Sequence, residues 1–87
     1  MARVFIPPTL RSLTNQIDVV DVEGQTVREL IDCMDSQFPG VKAQLVQNDR
    51  LRSGWMVAVG TAVATAGLRE RVPPDAEVHF LPAIGGG

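Results

Sequence analysis

Few residues of this chain can do chemistry, and they do not cluster. Cys33 is its one cysteine, which excludes an internal disulfide, and no histidine stands at a metal-ligand spacing from it. With no dense positive field beside it, it reads as a packing residue at the edge of a helix stripe. The single histidine, His79, alternates outward along a strand-like segment with no carboxylate or cysteine pattern around it, so it reads as a surface residue whose titration at most tunes partner binding. No nucleophile with a base and an orienting group emerges, and the expectation is no catalytic residue and no metal ligand. What remains is Gly85-Gly86-Gly87, which we take as the native end of the chain. A terminal carboxylate ionises at a pKa of roughly 3.3 to 3.7, so at neutral pH it is an anion that resists nucleophiles until it is activated. Glycine, lacking Cβ, lets an extended backbone thread a narrow channel. Any chemistry at this tail therefore begins with activation of its carboxylate.

The elements that must carry such a tail are legible from patterning. Ala2 to Ile6 alternates, with Val4 and Ile6 on one face and Arg3 and Phe5 on the other, until Pro7-Pro8 stops the ladder. Ile17 to Val22 is rich in β-branched residues and reads as a second strand whose phase slips between Val19 and Val20, the mark of a bulge. Thr26-Val27-Arg28-Glu29 is a capping box opening a helix. Val27, Leu30, Ile31, Met34 and Phe38 gather on one face of that helix while Arg28, Glu29 and Asp32 point away, and Pro39-Gly40 ends it. Val41 to Leu45 fits a short second helical turn, and Gln47 to Ser53 reads as a polar, solvated loop carrying Arg50 and Arg52. Trp55 to Val59 is a strand with Trp55, Val57 and Val59 on one face, Gly60-Thr61 a turn, and Ala62 to Ala66 a weak edge strand. Trp55 belongs to the core or its edge. After Pro73-Pro74-Asp75, Glu77 to Leu81 is the last strand, with Val78 and Phe80 alternating against Glu77 and His79.

Composition narrows the function. The chain has 87 residues, 45% of them hydrophobic and 21% charged, enough for one core and one domain. A net charge of −2 with no Lys/Arg cluster argues against nucleic acid. No window approaches a membrane span and no leader pattern opens the chain, so a cytoplasmic protein is expected.

Strand, strand, helix, strand, optional edge strand, strand is the β-grasp, or ubiquitin, order. The expected class is α+β, a mixed sheet of four to five strands covered on one face by one main helix. A domain over residues 1–82 and a flexible glycine tail over 83–87 complete the plan.

These residues together resemble the ThiS/MoaD family of ubiquitin-like sulfur carriers. The resemblance rests on Ile6-Pro7-Pro8-Thr9-Leu10-Arg11, on Gly24 to Ile31, on Phe38-Pro39-Gly40-Val41, and above all on Asp75 to Gly87, where a strand runs into Leu81-Pro82-Ala83-Ile84 and glycines. The chain departs from the family in ending on three glycines rather than two, and in carrying Thr14-Asn15 where members often have Gly-Gly. The resemblance implies that an E1-like enzyme, using ATP and magnesium, adenylates Gly87 and that a sulfur donor then leaves a thiocarboxylate. It also implies that Gly85 and Gly86 thread into the partner, that no cofactor is bound by this chain, and that a sulfur-accepting synthase is the second partner. Leu81, Pro82, Ala83 and Ile84, with the exposed side of the sheet, form the expected docking handle, although Leu81 also fits a role in closing the core. The end of the chain looks closer to the molybdopterin and cysteine-synthesis carriers than to the thiamine one. Two other readings use the same residues: a ubiquitin-like modifier that ends in isopeptide conjugates, and a β-grasp interaction domain whose glycine tail is incidental.

Overall fold

Why the chain settles into one sheet under one helix follows from where its β-branched runs and its apolar stripe can bury each other. The computed structural model describes residues 1–82. Strand β1 (Ala2–Phe5) turns Ala2 and Val4 into the core, and Ile6 follows them. β2 (Val19–Val22) pairs antiparallel to β1 in an unbroken register from Ala2 opposite Val22 to Phe5 opposite Val19. The expected bulge is absent. The apparent phase slip arises because Ile17 lies before the strand, in the turn where Thr14 Oγ1 donates to the Ile17 carbonyl at 2.9 Å, and is 42% exposed. Only Val20 and Val22 of the run face inward.

Helix α1 (Val27–Gln37) begins where Thr26 Oγ1 accepts from the Glu29 N–H at 3.3 Å. The reciprocal half of the capping box is displaced by one residue, since the Glu29 carboxylate accepts from the Gln25 N–H at 2.9 Å rather than from Thr26. The chain before the helix is pinned close to it. A Cβ on Gly24 would lie 3.0 Å from the Leu30 backbone nitrogen and 3.0 Å from Glu29 Cβ, so only glycine fits there. Val27, Leu30, Ile31 and Met34 are buried, as their spacing predicts. Gly40, at φ 107°, reverses the chain into α2 (Val41–Leu45), which confirms the second helical turn. That turn has no cap of its own, and Asp35 of α1 supplies one, its Oδ1 accepting from Gly40 and Lys42 N–H groups at 3.1 Å each.

The segment expected to be a plain loop contains a hairpin. β3 (Val46–Gln47) and β4 (Arg50–Leu51) pair antiparallel, with Asn48 and Asp49 at φ 53° and 64° between them. Two central residues at positive φ match the twist of a tight hairpin, and Asn and Asp tolerate that region. β5 (Trp55–Val59) then buries Val57, with Trp55 and Val59 packed at the core edge. β6 is Ala62–Val63, shorter than expected, and β7 (Glu77–Pro82) buries Val78 and Phe80.

The main sheet has five strands in the order β2-β1-β7-β5-β6, with β1 and β7 parallel and the other pairs antiparallel. This is the expected mixed β-grasp sheet. Parallel pairing of first and last strands needs a long crossover, and α1 provides it. The return passes through a turn at Gly67–Arg69, and the Glu70 carbonyl there accepts from the Val27 N–H at 3.0 Å, one of the donors a helix start leaves orphaned.

Candidate functional site

β7 is a central strand whose end carries the tail. It runs between β1 and β5, parallel to the first and antiparallel to the second, and its last described residue, Pro82, pairs with Trp55. A proline has no N–H to give a ladder and suits a strand end. Ala83, Ile84, Gly85, Gly86 and Gly87 lie outside the described residues. The described chain therefore ends on a strand paired on both sides.

That face is built by the same alternation that fills the core. Residues opposite one another in register share a face. Val19 pairs with Phe5, Phe5 with His79, His79 with Ala58, and Ala58 with Val63, so one row of side chains crosses all five strands on the side away from α1. Phe5 and His79 stack with ring centroids 4.2 Å apart and planes 4° from parallel. His79 is thus a half-buried member of an apolar row rather than an isolated surface residue. Next to this row, toward the tail, Leu81 pairs with Met56 and is 41% exposed. Leu81 does not close the core. It stands on the outer face between Met56 and the tail root. On the other side of the row, Asp21, Arg3 and Glu77 form a charged band, with Arg3 Nε donating to Asp21 at 3.4 Å.

Sequence reasoning singled out Leu81, Pro82 and the exposed side of the sheet as a docking handle; the structure places Leu81 on that face opposite Met56, and the register adds Phe5, Ala58 and Val63 to it. Phe5 was legible as opposite in phase to Val4 and Ile6. Its alignment with His79 was not, because nothing in a sequence states the parallel register of first and last strands. Cys33 is partly buried at the core edge, and Arg50 and Arg52 are exposed. Arg52 donates to the Ala43 carbonyl at 3.2 Å. Among the described residues, no group of His, Cys, Asp and Glu could hold a metal ion, and no helix is long and apolar enough to cross a membrane.

A small β-grasp domain whose doubly paired last strand runs on in sequence to a glycine end belongs to the class of ubiquitin-like sulfur carriers and modifiers. The match is specific: residues 4–87 fit the model of the ThiS family, and the chain belongs to that family. Among solved structures, it is similar to a chain of the BexX/CysO complex of Amycolatopsis orientalis, at 33% identity over 100% of both chains and a TM-score of 0.90. It shares its fold with CysO of Mycobacterium tuberculosis, at 22% identity over 97% of this chain and 100% of the other, with a TM-score of 0.88. SAMP1 of Haloferax volcanii also has this fold, at 21% identity over 99% and 98% of the two chains and a TM-score of 0.72. No curated protein matches the chain.

Proposed function

We propose that this chain carries sulfur as a thiocarboxylate on Gly87, a tail of residues 83–87 serving as the reactive arm of a domain over 1–82. An E1-like partner would transfer AMP from ATP, with magnesium, to the Gly87 carboxylate and release pyrophosphate. Hydrosulfide supplied by a sulfur donor then attacks the acyl carbon, AMP leaves with one of the carboxylate oxygens, and the thiocarboxylate remains. Gly85 and Gly86 reach through the partner's channel, where any Cβ would obstruct the path. Leu81, Pro82, Ala83 and Ile84, together with the row from Val19 to Val63, dock the partner. The thiocarboxylate afterwards donates sulfur to a synthase in cofactor biosynthesis of the molybdopterin type or in cysteine or metabolite synthesis. The chain acts throughout as a substrate of its partners, binds no cofactor itself, and works in the cytoplasm, where ATP is supplied.

One observation carries this reading: the tail is rooted on β7 immediately beside a sheet face where Leu81 stays 41% exposed. Exposed apolar surface next to a reactive arm serves docking. Membership of the ThiS family supports the chemistry, and the BexX/CysO complex supports assembly of such a chain with a partner protein.

The test is the intact mass of the protein after co-expression with an E1-like enzyme and a sulfur donor. The expected result is a gain equal to one oxygen replaced by sulfur, confined to the C-terminal peptide and absent when Gly86 and Gly87 are deleted. Covalent conjugates to other proteins in place of that gain would make the chain a modifier. Neither product would make it a plain interaction domain.

A further inference from the structure

The cleft between the β3–β4 hairpin and the Gly67–Arg69 turn measures about 540 Å³ and opens to solvent. Its walls carry Arg28 from the first turn of α1, Asp49 and Arg50 from the hairpin, and Arg69 from the turn, with Leu51 between them. A chain with 8 basic and 10 acidic residues thus sets three arginines against one aspartate in a single cleft. Arg28 is already engaged, its Nη1 donating to Asp49 Oδ1 at 2.6 Å and its Nη2 to the Asp49 carbonyl at 3.3 Å, which ties the hairpin tip to the helix. Arg50 and Arg69 are exposed and have no carboxylate partner among the described residues, whereas Arg3, Arg28 and Lys42 each have one. The charge of Arg69 nevertheless reaches Asp49, helping to hold that carboxyl below the usual range.

One wall of the cleft leads from Leu51 within a few residues to Trp55, the partner of Pro82, and the other is tied to the start of α1. The start of α1 is bonded to residues 70–72 shortly before β7 begins, through Val27 N–H to the Glu70 carbonyl and Val72 N–H to the Gln25 carbonyl. β7 then runs the length of the sheet, roughly 17 Å at the rise of an extended chain, before reaching Pro82.

We infer that this cleft is a second protein-docking surface, apart from the outer sheet face, which takes an acidic segment of a partner. Carboxylates of the segment pair with Arg50 and Arg69 on the two walls, and the stems of its side chains lie against Leu51. A phosphate dianion is a poorer occupant, because the Asp49 carboxylate stands among the guanidiniums and repels a compact double charge. Carboxylates spaced along a peptide straddle it. Long-range attraction from exposed arginines chiefly speeds encounter and weakens as salt is added.

The surface is independent of sulfur transfer, and so is its test. The isotope-labelled full chain is titrated with a hexaglutamate peptide at low salt while amide shifts are followed by NMR. Shifts should concentrate at Arg28, at 49–51 and at 65–69, and the affinity should fall about tenfold in the R50E/R69E double variant and on moving to high salt. Because both residues are exposed, unchanged amide dispersion elsewhere confirms that the variant is folded. Asp49→Asn should tighten binding about threefold by removing the competing charge. Absence of binding overturns the inference, as do equal shifts around Arg3, Arg11 and Arg71 or an affinity indifferent to the double reversal. Inorganic phosphate producing the same shifts at lower concentration than the peptide makes the cleft an anion site and overturns it too.

Discussion

Gln16 sits at φ 65° beside Asn15 at 54°, in the loop that leads from β1 to β2. The left-handed region costs an L-residue on the order of 1–2 kcal/mol, and asparagine bears it better than glutamine. Gln16→Gly should therefore raise stability by about 0.5–1 kcal/mol in urea titration, the relief being partly offset by the freer unfolded chain. Gly24 is the opposite case. The methyl of Gly24→Ala meets the Leu30 backbone nitrogen at 3.0 Å, and a loss of about 1–3 kcal/mol should appear in the same measurement. Asp49 answers to pH. The hydrogen bond from Arg28, then the charge of Arg28, hold its carboxyl below the ordinary range. A depressed carboxyl contributes stability that is complete above the unfolded value, about 3.9, and is lost only as pH falls through the lower folded value. Replacing Arg28 by Gln should let Asp49 titrate upward toward the ordinary range in an NMR pH series. Stability at neutral pH should barely move, since the pair is exposed to solvent.

At the scale of elements, α2 has five residues and cannot stand on its own hydrogen bonds. Asp35 caps it from the neighbouring helix, so Asp35→Ala should cost about 1 kcal/mol and speed amide exchange at Gly40 and Lys42, while α1 keeps its protection. β7 holds the sheet together because it pairs on both sides and buries Val78 completely. Val78→Ala should destabilise by about 2 kcal/mol, through lost burial and the cavity left behind. An equal truncation on β6, where Val63 is 55% exposed, should cost almost nothing.

For the molecule as a whole, the core and the outer face use alternate residues of the same strands, so the proposed docking is separable from stability. A Leu81→Asp variant should keep the melting temperature within a few degrees and lose at least about tenfold in affinity for the activating enzyme, read by titration calorimetry. The change falls at a half-exposed position facing away from α1, which is why the fold tolerates it. Loss of folding together with loss of binding would place Leu81 back in the core.

Much of this architecture was legible because it depends on local pattern. The stripe Val27, Leu30, Ile31, Met34 and the alternation in β1, β5 and β7 each define a buried face without reference to anything distant. Thr26 signalled the helix start and Gly40 its end, since a cap and a chain reversal are local events. The family was likewise legible, because the block from Asp75 to Gly87 carries its motif in consecutive residues. Tertiary structure decided what depends on register and crossing. It aligned Phe5 with His79 through the parallel pairing of first and last strands, and it brought Asp35 to α2. It set Arg28, Arg50 and Arg69 around one cleft. These residues stand far apart in sequence and carry no shared period, so only the closing of the chain by α1 and β7, driven by burial of their apolar faces, could place them together.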